Sequence, residues 1–258
     1  DYLYDKVGLY DTLRAITVGQ DTTASITRCW QQYGRTAGRM LHFLENHDEQ
    51  RIASDFFAGD AAKGRPGMIV SACMDSCPVM VYAGQEIGET GMDHEGFSGT
   101  DGRSTIFDYW NPDKLERLYN HGKIDGSQLS VNEKSLQKFY STLLSICKNE
   151  KAITEGKFFD LMYINPSSEF FDANRRYAFI RSYEDELLLI VVNFDDKPAV
   201  DRIIIPQHAF DYLGLSKKDN CTFRDLLSGE QFRWSLYPDS PVRLRIPGHS
   251  GIILKISG

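Results

Sequence analysis

The chain has 258 residues, 41% of them hydrophobic and 12% aromatic, which is typical of a globular protein with a sizeable buried core. Its 29 lysine and arginine residues stand against 36 aspartate and glutamate residues, a net charge of −7 that argues against a nucleic-acid partner. No apolar run is long enough to span a bilayer, and the opening DYLYDKVGLYD lacks the features of a signal peptide, so we expect a soluble protein with no membrane partner.

Short apolar runs and helical patterns alternate over the first 153 residues. The runs MLHFLEN (residues 40–46) and PVMVYAG (residues 78–84) each predict a buried strand. Residues 60–76 between them can hold a helix in which Pro66 is tolerated only near the first turn. Strands joined by such a crossover helix are parallel and carry functional residues at their carboxyl ends. The NHD triplet lies at one such end, and the GQE triplet lies at the next.

The segment SVNEKSLQKFYSTLLSICKNEK predicts the clearest helix of the chain. Ser130 and Glu133 have the spacing of a capping box at its start. Its apolar residues fall at helical spacing on one face, which indicates a core stripe and not a cofactor site. They are Leu136, Phe139, Tyr140, Leu143, Leu144 and Cys147.

Runs rich in β-forming residues follow one another after residue 154. Seven of them predict strands: RYAFIRSY, LLLIVVNF, VDRIIIP, TFRDLLS, QFRWSLY, VRLRIP and GIILKI. Turn material separates them, so an antiparallel sandwich is the expected packing. We therefore expect an α/β part over residues 1–153 and an all-β part over residues 154–258.

The five cysteines are odd in number and show neither a CxxC pair nor metal-ligand spacing. We expect buried free thiols and no disulfide framework. The five are Cys29, Cys73, Cys77, Cys147 and Cys221.

The stretch FLENHDEQR (residues 43–51) places an amide, an imidazole, a carboxylate and a guanidinium directly after an apolar run. One interpretation is a polar loop in which Asp48 caps the next helix. A second is a metal site made by His42, Glu45, His47 and Asp48. In a strand, however, His42 faces away from Glu45 and His47, so we predict no metal site here.

A third interpretation comes from a resemblance. FLENHDEQR followed by PVMVYAGQEIGE resembles the last two barrel strands of the α-amylase family of glycoside hydrolases, family 13. YLYDKV is similar to the sixth barrel strand, and IVVNF and GHSGIILKI resemble the C-terminal sandwich of that family. The resemblance covers essentially the whole chain. It implies the C-terminal part of a (β/α)8 TIM barrel followed by an antiparallel β-sandwich.

The resemblance also implies roles for the residues of the NHD motif. Asp48 matches a carboxylate that grips sugar hydroxyls and stabilises the positively charged ring of the transition state. His47 matches a histidine that hydrogen-bonds the sugar, because an imidazole both donates and accepts. Asn46 is expected to hold the turn and contribute to substrate binding. Arg51, a further substrate-binding candidate, either pairs with a nearby carboxylate or lies solvated at the surface.

Two later segments are weaker candidates. Gly84 is expected to permit a tight turn, with Gln85 and Glu86 in structural roles. The loop GFSGTDGRSTIFDYWNP offers rings and polar groups that could lie over a sugar cleft, and from it we select Arg103 and Trp110 as substrate-binding residues. The alternative is that aromatic rings pin this loop to the core. The other candidates in this loop are Asp101, Phe107 and Tyr109.

The implied reaction is hydrolysis or transfer of α-1,4-glucosidic bonds with retained configuration, acting on an α-glucan or maltooligosaccharide. The phrases that carry the family's nucleophile and acid are missing here. We therefore expect a piece of a longer enzyme that is inactive alone and self-associates through its incomplete barrel. The resemblance implies no cofactor in this chain, allows calcium in the full-length parent and favours an extracytoplasmic compartment.

Two other function classes remain open. A non-catalytic amylase-like interaction subunit is one, although it would have no use for the intact NHD motif. A carbohydrate-binding module is the other, with Trp234 and Tyr237 of QFRWSLY as an exposed platform. Burial of both rings between sheets would remove that alternative.

Overall fold

The computed structural model describes residues 1–94, 99–106 and 111–258. The strands are β1 Leu3–Tyr4, β2 Met40–Phe43, β3 Val79–Met80, β4 Lys157–Asp160, β5 Arg176–Tyr183, β6 Glu186–Asn193, β7 Ala199–Ile204, β8 Lys218–Asp225, β9 Gln231–Leu236, β10 Pro241–Ile246 and β11 Ser250–Ser257. The helices are α1 Asp11–Thr17, α2 Ala24–Gln32, α3 Arg65–Cys73, α4 Asp113–Tyr119, α5 Val131–Asn149, α6 Lys151–Thr154 and α7 Gln207–Leu213. None of the helices in the described part combines the length and apolarity needed to cross a bilayer.

Strands β1, β2 and β3 form a parallel sheet in that order, as predicted. Leu3 pairs with Met40, and His42 pairs with Val79. Helices α1 and α2 connect β1 to β2, and α3 connects β2 to β3, with Pro66 in the first turn of α3. The ladder is shorter than the apolar runs suggested, because Leu44 onwards already leaves the sheet. The crossover geometry therefore brings the carboxyl ends of β2 and β3 to one edge.

Helix α5 begins with the predicted capping box. The Ser130 side chain accepts from the Glu133 backbone N–H, and the Glu133 carboxylate accepts from the Ser130 backbone N–H. Leu136, Tyr140 and Leu143 are buried on one face in a core shared with α3 and with strands β5 and β6. The predicted stripe is thus a core stripe except at Leu144, which is exposed because it lies at the edge of the buried face.

The residues from Lys157 onwards form two antiparallel sheets. One has six strands in the order β4-β5-β6-β11-β8-β9, and the other pairs β10 with β7. All seven predicted strands are present. The short strand β4 and helix α7 were not predicted, because each is too short for a visible periodicity. The domain division at residues 153 and 154 stays a prediction.

All five cysteines are free thiols, as expected. Four are buried, and Cys147 is partly exposed. Cys73 on α3 and Cys147 on α5 place their sulfur atoms 3.8 Å apart where the two helices pack.

Candidate active site

Asp48 lies in a turn just beyond the carboxyl end of β2. Its side chain is 62% exposed, and the neighbouring His47 side chain is 42% exposed. His47 Nε2 lies 3.4 Å from Asp48 Oδ2. The two groups are therefore side by side and open to solvent at the edge where a parallel barrel carries its chemistry.

The backbone of this turn is held from two sides. The buried Asn46 side chain accepts hydrogen bonds from the backbone N–H groups of Asp48 (2.8 Å) and Glu49 (2.9 Å). Arg103 Nε donates to the backbone carbonyl of Asp48 at 2.8 Å. Because an Asx-type turn and an outside donor restrain the same few residues, the backbone that carries the Asp48 side chain is held in place. Asn46 and Arg103 act on Asp48 through its backbone in this structure.

Arg51 is buried and not solvated. Its Nη1 lies 2.8 Å from Glu45 Oε2, its Nε donates to Ser104 Oγ, and its Nη2 donates to the carbonyl of Ala83. The guanidinium also stacks 4.2 Å from the centre of the Tyr82 ring. Of the two environments considered for Arg51, pairing with a carboxylate is the one observed. A guanidinium enclosed in this way ties the loops after β2 and β3 together, which does not support its expected contact with substrate.

Glu45 was considered only as a metal ligand, and its role as the partner of Arg51 was missed. Burial raises the pKa of Glu45, while the Arg51 charge and hydrogen bond lower it. Glu45 also accepts from the backbone N–H of Ile52 at 2.7 Å. No signal in the sequence indicated the Glu45–Arg51 pair. The two residues are six positions apart across a turn, whereas the known spacings for ion pairs, three or four residues, apply to helices.

Glu49 links the turn to the segment that follows β1. Its carboxylate accepts from Tyr10 Oη at 3.1 Å and lies 3.3 Å from Lys6 Nζ. Tyr10 in turn stacks on Phe43 of β2, with ring centres 5.0 Å apart. Sequence analysis missed this contact, because it joins residues about forty positions apart.

His42, Glu45, His47 and Asp48 do not converge. His42 is fully buried, with Nδ1 at 3.0 Å from Asp5 Oδ2 and Nε2 at 2.9 Å from Asp75 Oδ2. Burial lowers the pKa of His42, but hydrogen bonds to Asp5 and then to Asp75 outweigh it and raise the pKa to about 11. Within the described ranges, one group could hold a metal ion, namely His42, Asp75 and Cys77. Each ring nitrogen of His42 already lies within 3.0 Å of a carboxylate oxygen, Nδ1 near Asp5 and Nε2 near Asp75.

The GQE triplet has the structural role that was expected. Gly84 has a positive φ of 90°, and a Cβ at this position would lie 2.9 Å from Glu89 Cβ. Gln85 is buried, accepts from the backbone of Tyr82 and donates to Tyr140 Oη at 3.0 Å. Glu86 accepts from the Gly84 backbone N–H at 3.1 Å. This turn therefore closes β3 against α5.

The candidate loop is described only in part. Trp110 lies outside the described residues, as do Phe107 and Tyr109. Asp101 is described and lies 3.0 Å from Arg103 Nη1. Gly102 accepts from the Arg51 backbone N–H, so this loop packs directly on the turn that carries Asp48.

No sequence-family profile matches the chain, and no curated protein matches it. Solved structures do match, and they give it the fold of the C-terminal portion of α-amylase family enzymes, a barrel followed by a C-terminal domain. A maltogenic α-amylase from Thermotoga neapolitana matches with a TM-score of 0.66 and 14% identity, over 100% of this chain and 51% of that chain. An α-amylase from H. orenii matches with a TM-score of 0.64 and 19% identity, over 100% and 49%.

A third similar structure is AmyP in complex with maltose, with a TM-score of 0.67 and 15% identity, over 98% of this chain and 49% of that chain. The chain thus spans about half the length of the structures it matches. At these identities the similarity concerns the fold.

Proposed function

We propose that this chain is the C-terminal part of a retaining glycoside hydrolase that acts on α-1,4-linked glucans. Asp48 is the observation that carries the proposal. A solvent-open carboxylate on a pre-set turn, at the carboxyl end of a parallel strand, is where a barrel enzyme of this fold can stabilise developing positive charge. The whole-length fold similarity to α-amylases, one of them a maltose complex, supports the same substrate class.

Each side chain of the site has its own role in the proposed reaction. In the transition state the sugar ring is oxocarbenium-like, so a fixed carboxylate at Asp48 stabilises it more than it stabilises the ground state. His47, beside it, can donate to one hydroxyl and accept from another. Asn46 and Arg103 hold the turn, and the Arg51–Glu45 pair holds the loops behind it. The nucleophile and the acid would come from the preceding barrel strands of the parent enzyme.

The reaction class is tested by the anomer that forms first. The full-length parent should release the α-anomer from a maltooligosaccharide, because a retaining mechanism uses two successive displacements. Proton NMR of the first minutes of reaction resolves the two anomers. Initial release of the β-anomer, or no cleavage of any α-1,4-linked substrate, would contradict the proposal. The 258-residue chain alone should release no sugar.

A binding function of the sandwich is the second candidate. Trp234 and Tyr237 are both exposed, so the burial that would have removed this alternative is not found. Tyr237 is engaged, however, since its hydroxyl donates to Asp219 at 2.6 Å. Binding of maltooligosaccharide that is lost in Trp234→Ala would favour this alternative.

A further inference from the structure

A cleft of about 620 Å³ opens where α2, β4 and α7 meet, away from the turn that carries Asp48. Six rings line it, and we call it the aromatic cleft: Trp30, Phe158, Phe159, Tyr163, His208 and Tyr212. Its volume falls in the range of about 300–1,000 Å³ that is usual for small-ligand sites.

The rings divide into a buried floor and exposed walls. Phe159 is buried, and its ring centre lies 5.5 Å from His208, 5.9 Å from Tyr212 and 6.2 Å from Tyr163. Tyr163 is 60% exposed, and Tyr212 is 50% exposed. His208 and Tyr212 are four residues apart on α7 and therefore lie on the same helix face. The cleft thus presents large aromatic area to solvent on both sides.

Trp30, which lines the cleft on the α2 side, is held in place by its neighbours. Asp160 Oδ2 accepts from Trp30 Nε1 at 2.9 Å and from Thr27 Oγ1 at 2.7 Å. The Trp30 ring packs edge-on against Phe158, with centres 5.3 Å apart. Because the indole is fixed before any ligand arrives, binding against it needs little ordering of the side chain.

The aromatic cleft is separate from the Asp48 site. Trp30 lies near the end of α2, and the chain then runs into the start of β2. Trp30 is therefore on the side of the amino end of β2, whereas Asp48 follows the carboxyl end. A ligand in the cleft cannot be the one whose bond is cleaved beside Asp48.

We propose that the aromatic cleft is a second, non-catalytic binding site for an α-1,4-linked glucan chain. A pyranose ring has apolar C–H faces that pack on aromatic rings and a rim of hydroxyls that need polar partners. The cleft supplies both: ring faces, and among its lining side chains the hydroxyls of Tyr163 and Tyr212, the His208 imidazole, whose Nδ1 lies 3.5 Å from Tyr163 Oη, and the Gln31 amide. The choice of an α-glucan over another sugar rests on the proposed function.

Isothermal titration of the 258-residue chain with maltoheptaose tests the site directly. We expect weak, saturable binding, reduced about five-fold by Tyr163→Ala and by Tyr212→Ala and abolished in the double variant. Both tyrosines are half exposed or more, so the variants should keep the melting temperature of the parent chain. Tyr119→Ala is the matched control, because it removes a comparably exposed tyrosine on α4, away from the aromatic cleft, and should leave the affinity unchanged.

The outcomes separate this proposal from the proposed function. No binding of maltoheptaose, loss of binding in the Tyr119→Ala control or in the platform variant Trp234→Ala, or equal binding of cellohexaose overturns the glucan site. The same titration on the full-length protein carrying Asp48→Asn, which slows turnover, keeps the test valid if the chain alone does not fold. There the tyrosine pair should remove one of two binding events. If an upstream segment covers the cleft, the tyrosine variants will change nothing, and the proposal fails even where Asp48 proves catalytic.

Discussion

The turn that carries Asp48 is held by the buried Asn46 and by the partly exposed Arg103. Asn46 accepts hydrogen bonds from two backbone N–H groups of the turn, and Arg103 donates one to the Asp48 carbonyl. Behind the turn, the buried Arg51–Glu45 pair joins the loops after β2 and β3. Preorganisation of this kind is what allows a single charge to act on a transition state without reorganising first. The local part of this arrangement could be predicted: an Asn two residues before the Asp is a turn former. The Arg51–Glu45 and Arg103–Asp48 contacts could not, because they depend on how two loops pack.

The buried Asp5 and His42, together with the partly exposed Asp75, give a pH-dependent prediction. His42 has its pKa raised to about 11 in the folded state, above the unfolded value of about 6.5. Its contribution to stability is therefore fully present below about pH 6.5 and is lost as the pH rises toward 11. The hydrogen bonds from His42 outweigh burial and lower the pKa of both Asp5 and Asp75, so their contribution is present above about pH 3.8 and falls in acid.

His42→Gln should therefore cost about 3 kcal/mol near pH 6, because it leaves the buried Asp5 and the partly exposed Asp75 without their charged partner. The cost should shrink steadily by pH 9. Urea unfolding at the two pH values measures it. His94→Gln, at an exposed position, is the control and should change stability by less than about 0.5 kcal/mol. A cost that is equal at pH 6 and pH 9 would mean that His42 is not charged in the folded protein.

At the scale of elements, strong periodicity and local capping chemistry were sufficient to predict α5 and the seven long strands of the sandwich. Two elements escaped. Strand β4 has four residues and depends on pairing with β5, and α7 is a seven-residue helix within a β-rich region. Strands β2 and β3 are shorter than their apolar runs, because residues such as Leu44 pack into the core without joining a ladder. A short apolar run marks buried residues whether or not they pair in a strand, so the run alone does not give the ends of the strand.

The capping box of α5 is testable by itself. Ser130→Ala removes the acceptor for the Glu133 N–H and should destabilise the protein by about 1 kcal/mol. Ser135→Ala, at an exposed position inside the same helix, should be neutral or slightly stabilising. Chemical denaturation of the two variants compares them directly. Equal effects would show that the cap contributes nothing beyond helix propensity.

At the scale of the whole molecule, the parallel sheet is incomplete in the described part of the chain. In that part, strand β1 pairs only with β2. Exposed apolar side chains lie in β1 and next to it: Leu3 and Tyr4 in the strand, and Tyr2 and Val7 on either side. An open edge with apolar side chains is a template for a further strand. The fold class was predictable because two kinds of observation agreed. The NHD and GQE segments indicated parallel barrel strands, and the change to β-rich runs after residue 154 indicated an antiparallel sandwich. The extent of the uncovered surface followed only from the coordinates.

We therefore expect the 258-residue chain to self-associate through the β1 edge. Light scattering across a concentration series should show the mean mass rising above that of a monomer. Tyr4→Lys places a charge at this edge and should shift the equilibrium back toward monomer. A monomer at high concentration, or association unchanged by Tyr4→Lys, would contradict this interface.

The negative charge of Asp48 is the feature on which the proposed catalysis depends. In the full-length enzyme, Asp48→Asn keeps the shape of the side chain and removes the charge. It should lower kcat on a soluble maltooligosaccharide by about a hundred- to a thousand-fold, or about 3–4 kcal/mol. If Asp48 only caps or holds a turn, asparagine serves nearly as well, and the loss is at most about 1 kcal/mol of stability. Measuring kcat and melting temperature on the same variant separates the two. A kcat within a few-fold of wild type, whatever the melting temperature, would contradict the account.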